Sequence, residues 1–90
     1  MILMYTLERS NEAADAIRKL CTKNKTLGVA LDKKIAQILE RPQRFKPLRA
    51  PLQNQRRVHI LKSFVLTYEI SENSKTVRLI KFAHHDSAYG

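Results

Sequence analysis

Arg56-Arg57-Val58-His59-Ile60-Leu61-Lys62-Ser63-Phe64-Val65-Leu66-Thr67-Tyr68-Glu69-Ile70 is the stretch whose reading decides the fold. Apolar and polar residues alternate through Arg57, Val58, His59 and Ile60. The alternation breaks at Lys62-Ser63 and resumes with Phe64, Leu66, Tyr68 and Ile70 on one parity. Period-two patterning in β-branched and aromatic residues marks half-buried strands, and two such runs around a short polar break predict an antiparallel hairpin. Successive side chains of a strand point to opposite faces. Val58 and Ile60 therefore face one way and Arg57 and His59 the other, which sets a guanidinium beside an imidazole on one face of a sheet.

Working outward from the hairpin, Ser71-Glu72-Asn73-Ser74-Lys75 is a polar turn. Thr76 to Ala83 alternates again, with Val77 and Leu79 set against Arg78, Ile80 and Phe82. On the N-terminal side, residues 42–55 carry Pro42, Pro47 and Pro51 interleaved with Phe45, Leu48 and Leu52, which predicts an extended segment ending in a turn at Gln53-Asn54-Gln55. Before it, Leu27, Ala30, Leu31, Ile35, Ile38 and Leu39 recur at helical spacing, with Thr26 as a candidate cap and Pro42 forcing an end near Arg41. A first helix is predicted from the cap Ser10 to about Asn24, with Ala13, Ala14, Ile17, Leu20 and Cys21 on its apolar face. Asp15 and Lys19 stand four apart as an expected surface pair. Met1 to Leu7 reads as a strand. The expectation is one α+β domain over residues 1–90: an N-terminal strand, an antiparallel helix pair, then three antiparallel strands completing one sheet. The helices cover one face, and the other, open face carries Arg57 and His59.

The chain has 90 residues and a formal net charge of +9. Its distribution says more than its sum. Between Glu40 and Glu69 there is no acidic residue, while Arg41, Arg44, Lys46, Arg49, Arg56, Arg57 and Lys62 all fall there. A one-sign block in folded sequence implies a polyanionic partner, with nucleic acid first and an acidic protein second, against the plain alternative of charge that serves solubility. An anionic membrane comes third, because the block is strand-like and proline-containing rather than an amphipathic helix. The single cysteine, Cys21, sits on a packed helical face and suggests a small core residue in a reducing compartment. No apolar run approaches the ~20 residues of a membrane helix. Met1-Ile2-Leu3-Met4-Tyr5 is too short for a secretory core. A cytoplasmic location is expected.

Two constellations carry chemistry. The first is Arg57 with His59. The second is His84-His85-Asp86, with Tyr89 four residues beyond His85. Adjacent histidines diverge on extended chain, and only His59 offers a third imidazole, so neither metal nor cofactor is expected. RNA cleavage matches the inventory better. The ribose 2′-OH is a built-in nucleophile. A base must take its proton, an acid must protonate the leaving oxygen, and cations must stabilise the phosphorane. Imidazole fits either proton role and a guanidinium fits the phosphate oxygens. Tyr89 either packs back on the sheet or stacks on a base. The plain alternative for both constellations is a solvated sheet face and a basic tail.

These residues resemble a family. The element order, Leu48-Arg49-Ala50-Pro51-Leu52, the Arg-Arg-Val-His-Ile of 56–60, the Phe-Val-Leu-Thr-Tyr-Glu-Ile of 64–70 and the ending His-His-Asp-Ser-Ala-Tyr are similar to RelE-type toxins of toxin–antitoxin modules, near the YafQ and RelE/StbE branches. The resemblance implies a ribosome-dependent mRNA endonuclease that cleaves the A-site codon, leaving a 2′,3′-cyclic phosphate and a 5′-OH. It also implies a cognate antitoxin as partner. It would make Arg57, His59 and His85 catalytic, Tyr89 the stacking aromatic, and His84 and Asp86 supporting candidates. Arg41, Arg44, Lys46, Arg49, Arg56, Lys62, Arg78 and Lys81 would contact RNA. One departure is Val65, where the RelE pattern has an arginine for which Arg78 or Lys62 would have to compensate. The same superfamily includes ParE-like gyrase inhibitors, so a non-catalytic inhibitor or an inactive homologue that binds an antitoxin is the alternative.

Overall fold

The computed structural model describes residues 5–49 and 54–88. Expectations for Met1 to Met4, for Ala50 to Gln53 and for Tyr89 lie outside the described residues. The element order is β1 (Thr6–Arg9), α1 (Asn11–Lys23), α2 (Lys25–Glu40), a 3-10 turn (Pro42–Arg44), β2 (Gln55–Ile60), β3 (Phe64–Ser71), β4 (Thr76–His84) and a four-residue α3 (His85–Ala88). One sheet has the order β1-β4-β3-β2. Its β2-β3-β4 run is antiparallel, and β1 pairs parallel with β4 through Thr6–Thr76 to Arg9–Leu79. This is the predicted α+β architecture. Among the described residues no helix is long and apolar enough to cross a membrane.

The helices form as their signals require, with one cap reassigned. The Ser10 hydroxyl accepts from the Ala13 amide at 3.0 Å and opens α1. Asn24, not Thr26, opens α2, its side-chain oxygen accepting from the Leu27 amide at 3.0 Å. An N-cap must precede the first helical residue, and Thr26 is already inside that turn. Asp15 pairs with Arg18 at 2.9 Å rather than with Lys19, an exposed contact of little energetic weight. Cys21 is half-buried against the core, and burial followed by the nearby Asp32 charge pushes its thiol up. Its expected role as a packing residue agrees with that environment.

The core lies between the helices and one face of the sheet. Leu27, Leu31, Ile35, Ile38 and Leu39 of α2 and Ala13 of α1 meet Val58 and Ile60 of β2, Leu66, Tyr68 and Ile70 of β3, and Val77, Leu79 and Phe82 of β4. Phe82 is where strict alternation fails. The sequence sets it against Val77 and Leu79, yet all three are buried together. The register explains this: Tyr68 pairs with Leu79 but Thr67 pairs with Lys81, which leaves Ile80 as an extra residue in β4. Such a β-bulge reverses parity for everything after it. The bulge is tied to the helix layer as well. The Ser10 hydroxyl donates to the Ile80 carbonyl at 2.7 Å and the Ser10 amide to the Leu79 carbonyl at 2.8 Å.

The segment after α2 is fastened to the sheet by two polar contacts. The fully buried Tyr68 donates its hydroxyl to the Pro42 carbonyl at 2.7 Å. The Arg56 guanidinium donates through Nε to the Phe45 carbonyl at 2.8 Å. Burial pushes the Tyr68 phenol up to about 12, against a smaller opposing effect from Arg56. A phenol held there in the fold, but near its ordinary value in the unfolded chain, keeps its proton preferentially in the fold. Its stabilisation is complete below the unfolded value near pH 10 and is lost as pH rises toward 12. Tyr68→Phe is expected to cost ~1–2 kcal/mol at pH 8, because the Pro42 carbonyl loses its donor. In urea melts the gap between wild type and variant should shrink as pH is raised from 10 to 12. A gap that stays constant or widens over that range would contradict the assignment.

Candidate functional site: an imidazole pair on the open sheet face

The register lays out the open face as a grid. Its first row is His59, Val65 and Ala83 across β2, β3 and β4; the second is Arg57, Thr67 and Lys81. A third, Gln55, Glu69 and Arg78, continues to Glu8 of β1. Val65 is 1% exposed, so the first row has an apolar floor with His59 exposed beside it. One strand step on the same face is ~6.8 Å, twice the rise per residue. Arg57 is thus one step from His59 on the same strand, Lys81 is one row along and two strands across, and Arg78 is two rows along and two strands across.

The C-terminal end completes the cluster. After His84 the chain leaves β4 and turns into α3, where the His85 amide donates to the Ser63 carbonyl at 2.6 Å. This brings the His85 ring over the open face, with its centroid 5.8 Å from that of His59 and the planes tilted by 31°. His84 goes the other way. It pairs in register with Phe64, meets that ring edge-on at 5.4 Å between centroids, and lines a cleft against Glu12, Ala16, Lys19 and Leu20 of α1. The structure therefore separates the two adjacent histidines: His85 joins His59 and His84 does not. Asp86 is exposed, with carboxylate oxygens 3.7 Å from His85 Nδ1 and 3.9 Å from His84 Nδ1. Among the described residues no three His, Cys, Asp or Glu side chains converge as a metal would require.

The expected RNA-contacting residues fall into distinct places. Arg41, Arg44, Lys46 and Arg49 are exposed. They belong to a segment that lies along the outer edge of β2, through a Pro47–Arg56 bridge and a bond from the Leu48 amide to the Gln55 carbonyl. Arg56 has the parity of the helix face and holds this segment in place, which makes it a structural residue first. Arg78 does not reach the imidazole pair: it sits in the third row between Glu8 and Glu69, and Glu69 itself accepts from Asn54 at 2.9 Å. Lys81 is the cation that the register places level with Arg57. Sequence reasoning grouped it with the outlying basic residues, because the bulge at Ile80 that turns it to the open face leaves no mark in the alternation.

The β2–β3 connection is strained. Leu61 and Lys62 have φ of 52° and 65°, and the Ser63 amide donates back to the Leu61 carbonyl at 2.6 Å. Left-handed backbone costs a non-glycine residue about 1–2 kcal/mol, and a tight turn around such a residue is rare. Lys62→Gly should raise stability by about 1 kcal/mol net of glycine's greater unfolded entropy, read as a higher urea midpoint at unchanged slope. An unchanged or lower midpoint would mean that the turn is relaxed.

With this geometry in view, comparison with known proteins identifies the family. Residues 5–89 match the model for the ParE toxin of type II toxin–antitoxin systems. The chain belongs to that family, within the RelE/ParE superfamily of toxins. A Methanocaldococcus jannaschii protein bearing the name RelE4 is 41% identical over 86 residues, covering 96% of this chain and 92% of its own length. Among solved structures, a double mutant of Escherichia coli RelE in the free state superposes with a TM-score of 0.80 at 23% identity, covering 96% of this chain and 88% of that one. The YafQ toxin in its complex with DinJ, also from Escherichia coli, gives 0.77 at 17% identity, covering 97% and 99%.

Proposed function

We propose that this toxin is a ribosome-dependent mRNA endonuclease that cleaves the A-site codon without a metal. The reading is carried by the apposition of His59 and His85, 5.8 Å between ring centroids, on a face that also bears Arg57 and Lys81. One imidazole takes the proton of the 2′-OH as its oxygen bonds to the adjacent phosphorus. The other, as imidazolium, gives a proton to O5′ as the P–O5′ bond breaks, leaving a 2′,3′-cyclic phosphate and a 5′-OH. Arg57 and Lys81 hold the non-bridging oxygens, where charge accumulates in the phosphorane. Tyr89 joins this set on the family resemblance alone.

The same reading assigns the exposed Arg41, Arg44, Lys46 and Arg49 beside β2 to rRNA phosphates, in a salt-sensitive contact. Since so few groups on this face read bases, the ribosome supplies the positioning of the mRNA. A cognate antitoxin is the second partner. Support comes from the charge of +9 and from fold relatives solved as RelBE and DinJ–YafQ toxin–antitoxin complexes.

The family match favours one other reading, a ParE-like gyrase inhibitor with no catalysis. Toeprinting on programmed ribosomes separates the two. The endonuclease reading expects mRNA ends locked to the A-site codon, reduced ~100-fold or more by His59→Ala or His85→Ala and within about threefold of wild type for His84→Ala. Growth inhibition that survives both of the first two substitutions, with no new mRNA ends, would favour the inhibitor.

A further inference from the structure

Positive φ at a non-glycine residue persists where something offsets it. Lys75, with φ of 52°, shows a structural reason. Its carbonyl accepts from the Thr6 amide at 2.8 Å, and its ammonium lies 3.5 Å from Glu72 and 5.5 Å from the centroid of the Tyr5 ring. That conformation docks β1 to the sheet. The turn at Leu61 and Lys62 has a return too, since it closes the hairpin and sets the Ser63 carbonyl for the His85 amide, but those are backbone contacts that do not require a leucine and a lysine. Leu61 is 46% exposed, one of two large apolar residues exposed among those described, and the Lys62 side chain makes no ion pair or hydrogen bond within them. Asn-Gly would satisfy left-handed backbone at such a turn without strain. The chain instead holds a leucine and a lysine outward, one on each strained residue.

Their position suggests why. Ser63, at the end of this turn, takes the His85 amide, and Leu61 is two residues beyond His59. The Leu61 Cα is therefore at most ~7 Å from the His59 Cα, and Lys62 is one residue from the carbonyl that seats His85. Attack by a 2′-OH needs its oxygen nearly in line with the leaving O5′, and such near-attack geometry must be held by the protein or its partner. Prising a base from its neighbour is one way to impose it, and apolar side chains inserted between bases do this in other nucleic-acid complexes.

We infer that the β2–β3 tip is a substrate-contacting wedge, with Leu61 packing on an unstacked base beside the scissile phosphate and Lys62 meeting a neighbouring phosphate. The inference rests on the endonuclease reading and adds residues to that site. Strain at the tip is retained because relaxing it would remove both side chains from the RNA.

The test compares Leu61→Asn/Lys62→Gly, Leu61→Ala and Leu61→Met with wild type. The readouts are thermal melting of the full chain and single-turnover cleavage on programmed ribosomes. The double variant is expected to melt several degrees higher yet cleave at least 10-fold more slowly, two changes that a merely structural turn would not combine. Leu61→Ala, which leaves the backbone turn as it is, should lose most of the same rate, and Leu61→Met should recover it. Wild-type cleavage rates in the double variant and in Leu61→Ala would overturn the inference while leaving the endonuclease reading intact. So would unchanged cleavage with loss of antitoxin affinity, which would assign the tip to a protein interface. If wild type itself cleaves nothing, the endonuclease reading fails first and the wedge with it.

Discussion

The extra residue at Ile80 governs both faces of this protein. Were β4 to alternate strictly beyond Val77 and Leu79, Lys81 would enter the helix-covered core and Phe82 would lie on the open face. Burying an unpaired ammonium costs far more than a domain of this size has in reserve. The bulge resolves the conflict by reversing parity once. Phe82 then joins Leu66 and Leu79 under the helices, while Lys81 and Ala83 turn to the side of Arg57 and His59. The carbonyl of Ile80 is not left idle, because Ser10 caps α1 and donates to that oxygen with the same hydroxyl. One irregular residue thus fixes the register of the strand, the seat of the first helix and the composition of the site.

The second constraint is the divergence of His84 and His85. Adjacent residues on extended chain point to opposite faces, and the turn into α3 keeps them apart. His84 spends its ring on Phe64 and the cleft beside α1, whereas His85 is carried over the open face by the bond from its amide to Ser63. The hairpin turn therefore seats the second imidazole as well as joining two strands. A buried Val65 under the pair removes water from one side of it, which strengthens whatever polar contacts a phosphate would make there.

Most of the fold was legible in the sequence, because its signals are local. Ser10 and Pro42 bound the helices, and the alternation through 57–60 and 64–70 locates the hairpin. The open face with Arg57 and His59 follows from parity alone. What escaped reading depends on register. The bulge at Ile80 has no composition signal, so Phe82 was expected on the wrong face and Lys81 was not expected beside Arg57. Arg56 reads as one more basic residue until its bond to the Phe45 carbonyl is seen. Thr26 and Asn24 are both good caps, and only the geometry of the link between the helices chooses Asn24. The pairing of His59 with His85 needed a long-range turn that alternation cannot report.

The central claim is that His59 and His85 divide one proton transfer in and one proton transfer out of the same phosphodiester. Its most direct test is the pH dependence of single-turnover mRNA cleavage on programmed ribosomes. Wild type should give a bell-shaped profile set by one group that must be deprotonated and one that must be protonated. His59→Ala and His85→Ala should each lower the rate and abolish a different limb of that bell. A bell of wild-type height and shape in both variants would contradict the account.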